Sequence, residues 1–130
     1  MRISFLIVLS LIAIVEARGT AGAATTPVNP AHEKLLQLNN SNRNVAWTRL
    51  LQESGERCDR ATKSMFRMQD PQGKAYWSVA CANGKAFSVT INPDTGGSTS
   101  IADCPVIERL TKIGCFEKIK DAPPGWRLGR

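Results

Sequence analysis

Residues 74–91 read KAYWSVACANGKAFSVTI. Two runs with a period of two flank Asn83-Gly84, the pattern of an antiparallel hairpin. A two-residue loop would set Trp77 and Val79 opposite Thr90 and Ser88, apolar against polar. A three-residue loop, Ala82 to Gly84 with Gly84 in the left-handed region as a G1 bulge, pairs Val79 with Phe87 and Trp77 with Val89. A slip of one residue would turn every side chain to the wrong face, so the three-residue loop is expected.

Working outward, Thr62 to Gln69 is a further strand. Asp70-Pro71-Gln72-Gly73 carries type I turn residues at its four places. A four-residue loop there pairs Met68 with Ala75 and Phe66 with Trp77. The strand from Lys85 ends at Asn92, before Pro93-Asp94-Thr95-Gly96-Gly97, and a weaker strand follows from Ser98 to Asp103. One face of this meander then collects Phe66, Met68, Trp77, Val79, Phe87, Val89, Ile91 and Ile101. The other carries Tyr76, Ser78, Ala80, Ala86, Ser88, Thr90, Ser100 and Ala102, without charge in its central strands, where solvated sheets usually show long charged residues. Two accounts stay open. Either the C-terminal tail covers this face through Phe116 or Trp126, or Tyr76, Ser78, Ser88, Thr90 and Ser100 form a docking face with Tyr76 as its aromatic anchor.

Upstream, Ala46, Trp47, Leu50 and Leu51 recur at helical spacing between a capping Asn44 and Gly55, which predicts an amphipathic helix over 44–56. Residues 24–43 are expected to be a mobile lead-in with a helical turn at most, at Ala31 to Leu38. After Cys104, Pro105 suits a first helical position, and Val106, Ile107, Leu110 and Ile113 keep helical spacing up to Gly114. This helix is expected on the apolar sheet face. Residues 121–130, rich in proline and glycine, form a tail. The expected fold is therefore α+β: a single domain over 44–120, a three- to four-stranded antiparallel meander packed by an N-terminal and a C-terminal helix.

The whole chain has 130 residues, 42% hydrophobic and 22% charged, with net charge +6. That leaves room for one ordinary domain and excludes disordered and multidomain classes. Met1-Arg2, the apolar run Ile3 to Val15 and the small residues Ala21-Gly22-Ala23 give residues 1–23 the form of a secretory signal, too short for the roughly 20 residues of a membrane span. Its removal takes Arg2, Arg18 and Glu16, leaving 15 basic and 10 acidic side chains, net +5. The mature chain is then periplasmic or secreted, with no transmembrane span. In such a compartment Cys58, Cys81, Cys104 and Cys115 are expected to form two disulfides. Convergence of strand ends favours Cys58 with Cys81, leaving Cys104 with Cys115; the other two pairings stay open. Separations of 23, 23 and 11 residues contain no close ligand pair for zinc and no Cys-x-x-Cys.

His32 is the single imidazole, and no nucleophile is evidently placed for it, so no catalytic residue, metal or cofactor is expected. Glu53, Glu56 and Asp59 interleave with Arg49, Arg57 and Arg60, as in an ion-paired helix face. Basic stretches at Arg43 to Arg67 and Lys112 to Arg130 suit an anionic envelope surface. Nucleic acid is not expected as a partner, since export removes it and no aromatic-basic motif is present.

The order helix, strand, Asp70-Pro71-Gln72-Gly73-Lys74-Ala75-Tyr76-Trp77-Ser78-Val79, Asn83-Gly84-Lys85, then Phe87-Ser88-Val89-Thr90-Ile91-Asn92-Pro93-Asp94-Thr95-Gly96 resembles the PepSY-type domain over residues 44–100. The resemblance implies an exported or membrane-attached module without catalytic residues that restrains peptidases or senses the envelope. The four cysteines and the helix after Cys104 depart from that pattern. The expected function is a non-catalytic exported binding or inhibitory module engaging an envelope protein or peptidase; the alternative is a small periplasmic enzyme or thiol-redox protein.

Overall fold

A computed structural model describes Gly22 and residues 25–130. The signal segment expected over residues 1–23 lies, Gly22 apart, outside the described residues. Three helices and five strands follow in the order α1 (Pro30–Gln37), α2 (Asn40–Glu53), β1 (Ala61–Gln69), β2 (Ala75–Cys81), β3 (Ala86–Ile91), β4 (Thr99–Asp103), α3 (Cys104–Thr111) and β5 (Arg127–Leu128). The strands form one antiparallel sheet in the order β4-β3-β2-β1-β5. The α+β class and both disulfides agree with the sequence. The helix count and strand count do not, since α1 and β5 are additional.

The β2–β3 register is the expected one, with Val79 opposite Phe87 and Trp77 opposite Val89. Gly84 closes the loop at φ +83°, its amide donating to the Cys81 carbonyl, in the left-handed region where other residues are strained. The β1–β2 register is right only in part. Phe66 faces Trp77, but a bulge at Arg67 moves Met68 opposite Tyr76 and Gln69 opposite Ala75. Met68 therefore leaves the inner face, and Gln69 takes its place there, buried at 3% exposure. An added residue in one strand reverses the alternation beyond it.

The inner face is the core. Trp77, Val79, Phe87, Val89 and Ile91 lie against Trp47 and Leu51 of α2, all essentially without exposure, with Phe66 and Ile101 at the margin. Each such side chain contributes about 1.5–3 kcal/mol by leaving water. The disulfide Cys58–Cys81 ties the segment after α2 to the end of β2, and Cys104–Cys115 closes the loop that holds α3.

Three further expectations are corrected. The lead-in over 24–43 is ordered into α1 and the start of α2 from Asn29 onward, because Asn29 and His32 are buried and bonded to the sheet. Helix α2 begins four residues before the expected Asn44, capped by the Asn39 side chain, which accepts from the Asn42 amide. Helix α3 does not join the apolar face: Val106, Leu110 and Ile113 remain exposed, and Cys115 at the far end of its loop lies on Ser78 of the opposite face.

Candidate functional site

A cleft of about 640 Å³ opens where α1, the first turn of α2, β1 and the C-terminal strand meet. This is the size of small-molecule sites, which usually span 300–1,000 Å³. Its lining includes His32, Arg43, Phe66, Trp77, Arg127 and Arg130.

Asn29-Pro30 starts the wall. The Asn29 side chain accepts from the His32 amide at 3.1 Å and donates to the carbonyls of Gly73 and Ile91, each at 2.9 Å. One buried amide thus caps α1 and bolts it to two strand ends. The helix then delivers His32 onto Trp77, whose indole Nε1–H donates to His32 Nδ1 at 3.1 Å. With Nδ1 accepting, the neutral ring carries its proton on Nε2. Burial, the dominant cause, holds the imidazole below its ordinary value of 6.5; Glu33 opposes this and Arg127 adds to it. His32, Phe66 and Trp77 interlock with ring centroids 4.5–5.7 Å apart, within the range of favourable aromatic pairs.

Arg43 closes the end of α1. Its guanidinium donates to the carbonyls of Leu35 at 2.7 Å, Leu38 at 2.6 Å and Leu36 at 3.3 Å, and its Cζ stands 5.5 Å from the Trp77 ring centroid. Its Nε and Nη2 donors are committed, so it offers the cleft charge rather than a free fork. Arg127 and Arg130 differ. Both are exposed, neither has a hydrogen-bonded or ion-paired side-chain partner among the described residues, and Glu33 is the one acidic side chain on the lining. Gly129 between them passes so close to the Phe66 carbonyl that no side chain fits, and its amide donates to the Arg67 carbonyl at 2.9 Å.

Ser64 also lines the cleft, yet no hydrogen bond joins it to His32. The arrangement is suited to holding an anion over an apolar floor. Among the described residues, no group of three metal-ligating side chains occurs, and no helix is long and apolar enough to cross a membrane.

The residues of the expected docking face lie elsewhere and are not equally available. Ser78 is fully buried, its hydroxyl donating to the Cys115 carbonyl, which Arg67 also engages at 2.6 Å. Tyr76 stacks on Trp126 at 6.1 Å and donates to Asp70 Oδ2 at 3.0 Å. Burial chiefly, then the Asp70 bond and charge, push its phenol up to about 12. Tyr76 is therefore engaged by the tail and is no free anchor. Ser88 and Thr90 are half-buried and Ser100 is exposed. Cys58, Cys81, Cys104 and Cys115 are all oxidised and buried. Asp59, from the expected carboxylate cluster, instead staples turns, accepting from the amides of Arg60 and Asn83.

Sequence reasoning missed Asn29, the role of His32, and the return of Arg127 and Arg130 to the same place. Asn29-Pro30 with Glu33 in the first turn is a helix-start signature that would have found α1. No local signal announces β5. No family model, curated protein or solved structure matches the chain.

Proposed function

We propose that this chain is an exported, non-catalytic binding module of the bacterial envelope, periplasmic or secreted, that holds an anionic ligand in the cleft between α1, β1 and β5. One observation carries the reading: among the described residues, Arg127 and Arg130 stand without acidic side-chain partners, in one cleft with the charge of Arg43 and the Phe66 ring. Unpaired arginines at a concave, partly apolar site favour carboxylates and phosphates, which match the guanidinium fork. The buried disulfide sulfurs support a structural rather than a thiol-exchange role, since exchange needs an attacking thiolate to reach sulfur.

Two-dimensional amide NMR of the oxidised protein, titrated with inorganic phosphate and with acetate, tests this. Shifts confined to residues 32–43, 64–69 and 127–130, and abolished by Arg127→Glu with Arg130→Glu, are expected. Shifts centred on Ser88, Thr90 and Ser100 would move the site. Recovery of the oxidised chain from periplasmic extract, lacking its first residues, is the expected outcome for export; retention in the cytosol would overturn it.

A second reading keeps a protein partner on the uncovered half of the outer face. The observation favouring it is the exposed apolar side of α3, Val106 at 38% and Leu110 at 76% exposure, on the segment that follows β4.

A further inference from the structure

The accessible lining of the cleft carries two kinds of chemistry. Trp77 and His32 lie beneath the surface, at 1% and 2% exposure. What a ligand would touch includes the apolar Leu36, Met65, Phe66 and Leu128 and the exposed Arg127 and Arg130. Leu36 is 42% exposed, on a helix whose other end is bolted to the sheet. Leucine and methionine side chains adapt to a flexible aliphatic shape, whereas a flat ring would call for open aromatic faces. The cationic part is entirely arginine: Arg43 from α2, and Arg127 and Arg130 from β5 and the residues after it.

We propose, resting on the binding reading above, that the occupant is a single-chain anionic amphiphile. Its carboxylate or phosphate head is held by Arg127 and Arg130. Its aliphatic chain lies on Leu36, Met65, Phe66 and Leu128. Neutral His32 contributes no cation to the head, because its Nδ1 is engaged by Trp77; Glu33, across the same cleft, leaves an excess of positive charge with three arginines against it. A volume of about 640 Å³ accommodates one such molecule and not a bilayer patch.

The test is titration of the full oxidised protein with dodecanoate below its micelle concentration, followed by tryptophan fluorescence, with Trp77 as the reporter in the cleft. Parallel arms use inorganic phosphate for the head alone, dodecyl maltoside for an uncharged chain, and phosphatidylglycerol vesicles for a membrane source. Saturable binding at one site, about a hundredfold tighter than phosphate, is expected from the added apolar contact. Arg127→Gln with Arg130→Gln should weaken it about tenfold, with an unchanged melting curve because both side chains are exposed. Leu36→Asn should weaken dodecanoate about tenfold and leave the phosphate response alone. Dodecanoate binding no tighter than phosphate would overturn the amphiphile and leave the anion-binding cleft standing. Equal affinity for dodecyl maltoside would overturn the role of the arginines. Vesicle binding without dodecanoate binding would make the site a membrane-docking surface, and silence in every arm, together with no NMR response to phosphate, would remove both readings.

Discussion

On the inner face of the sheet, Trp77 and Phe87 are covered by Trp47 and Leu51 of a fourteen-residue helix, whereas on the outer face Ser78 and Tyr76 are covered by the backbone at Cys115 and by the ring of Trp126. The first closure is side chain against side chain and needs large apolar residues on both partners. The second lets a covering backbone approach the sheet, and small residues make the room. The same carbonyl of Cys115 receives both the Ser78 hydroxyl and the Arg67 guanidinium, so the cover is fixed by polar contacts and a disulfide instead of by buried area. Its own apolar residues, Val106, Leu110 and Ile113, stay exposed. Small uncharged residues on a sheet face are thus as consistent with a strap of the same chain as with a docking site for another.

If the inner face carries most of the stability, Trp77→Ala should cost about 3–5 kcal/mol in urea unfolding, from the cavity and the lost His32 bond together. A smaller cost than that of Tyr76→Ala would reverse the ranking of the faces. Cys104→Ser with Cys115→Ser should cost about 2–3 kcal/mol through the freed eleven-residue separation, with faster hydrogen exchange over residues 104–126 and little change in α2. Asn29→Ala should cost about 2 kcal/mol, since it removes the cap and strands the carbonyls of Gly73 and Ile91; differential scanning calorimetry reads this directly.

Acid should act on the inner face through His32. His32 is held neutral in the fold, below its ordinary 6.5, so the unfolded chain takes up a proton first as pH falls. Its contribution is complete above pH 6.5 and declines below that value until the lowered folded pKa is reached. Urea midpoints measured from pH 7.5 to 4.5 should show this decline, and His32→Gln should remove that part of the slope. The smallest effect belongs to the outer face. Trp126→Ala should cost about 1 kcal/mol and bring the single tyrosine down from about 12 toward 10 in an ultraviolet titration.

The β2–β3 hairpin was legible because Gly84 and the alternation on both sides point to one register. The β1–β2 register was legible only as far as Phe66: the bulge at Arg67 has no glycine or proline to mark it, and its reason is a tertiary one, the reach of Arg67 to Cys115. The segment before Asn44 was misjudged because polarity stood in for exposure. Asn29 and His32 are polar and buried, and each is satisfied by a partner more than 40 residues away that no local pattern reveals. Four closely spaced Asn and Ser residues from Asn39 to Asn42 all compete as caps, which blurs the start of α2 by four residues. The cleft was illegible for the same reason as β5: it joins residues 32 and 130, and only the closed sheet brings them together.

The bolt at Asn29 also orders events in time. A chain made from its N-terminus exposes residues 29–37 long before Ile91 exists, yet the Asn29 side chain needs the Ile91 carbonyl, 62 positions later. An eight-residue helix is too short to persist alone in water, so α1 must wait, unfolded, until three strands have been made. Cys58 and Cys81, by contrast, need nothing beyond β2 to find each other. The N-terminal helix, first to be made, is therefore among the last pieces to settle.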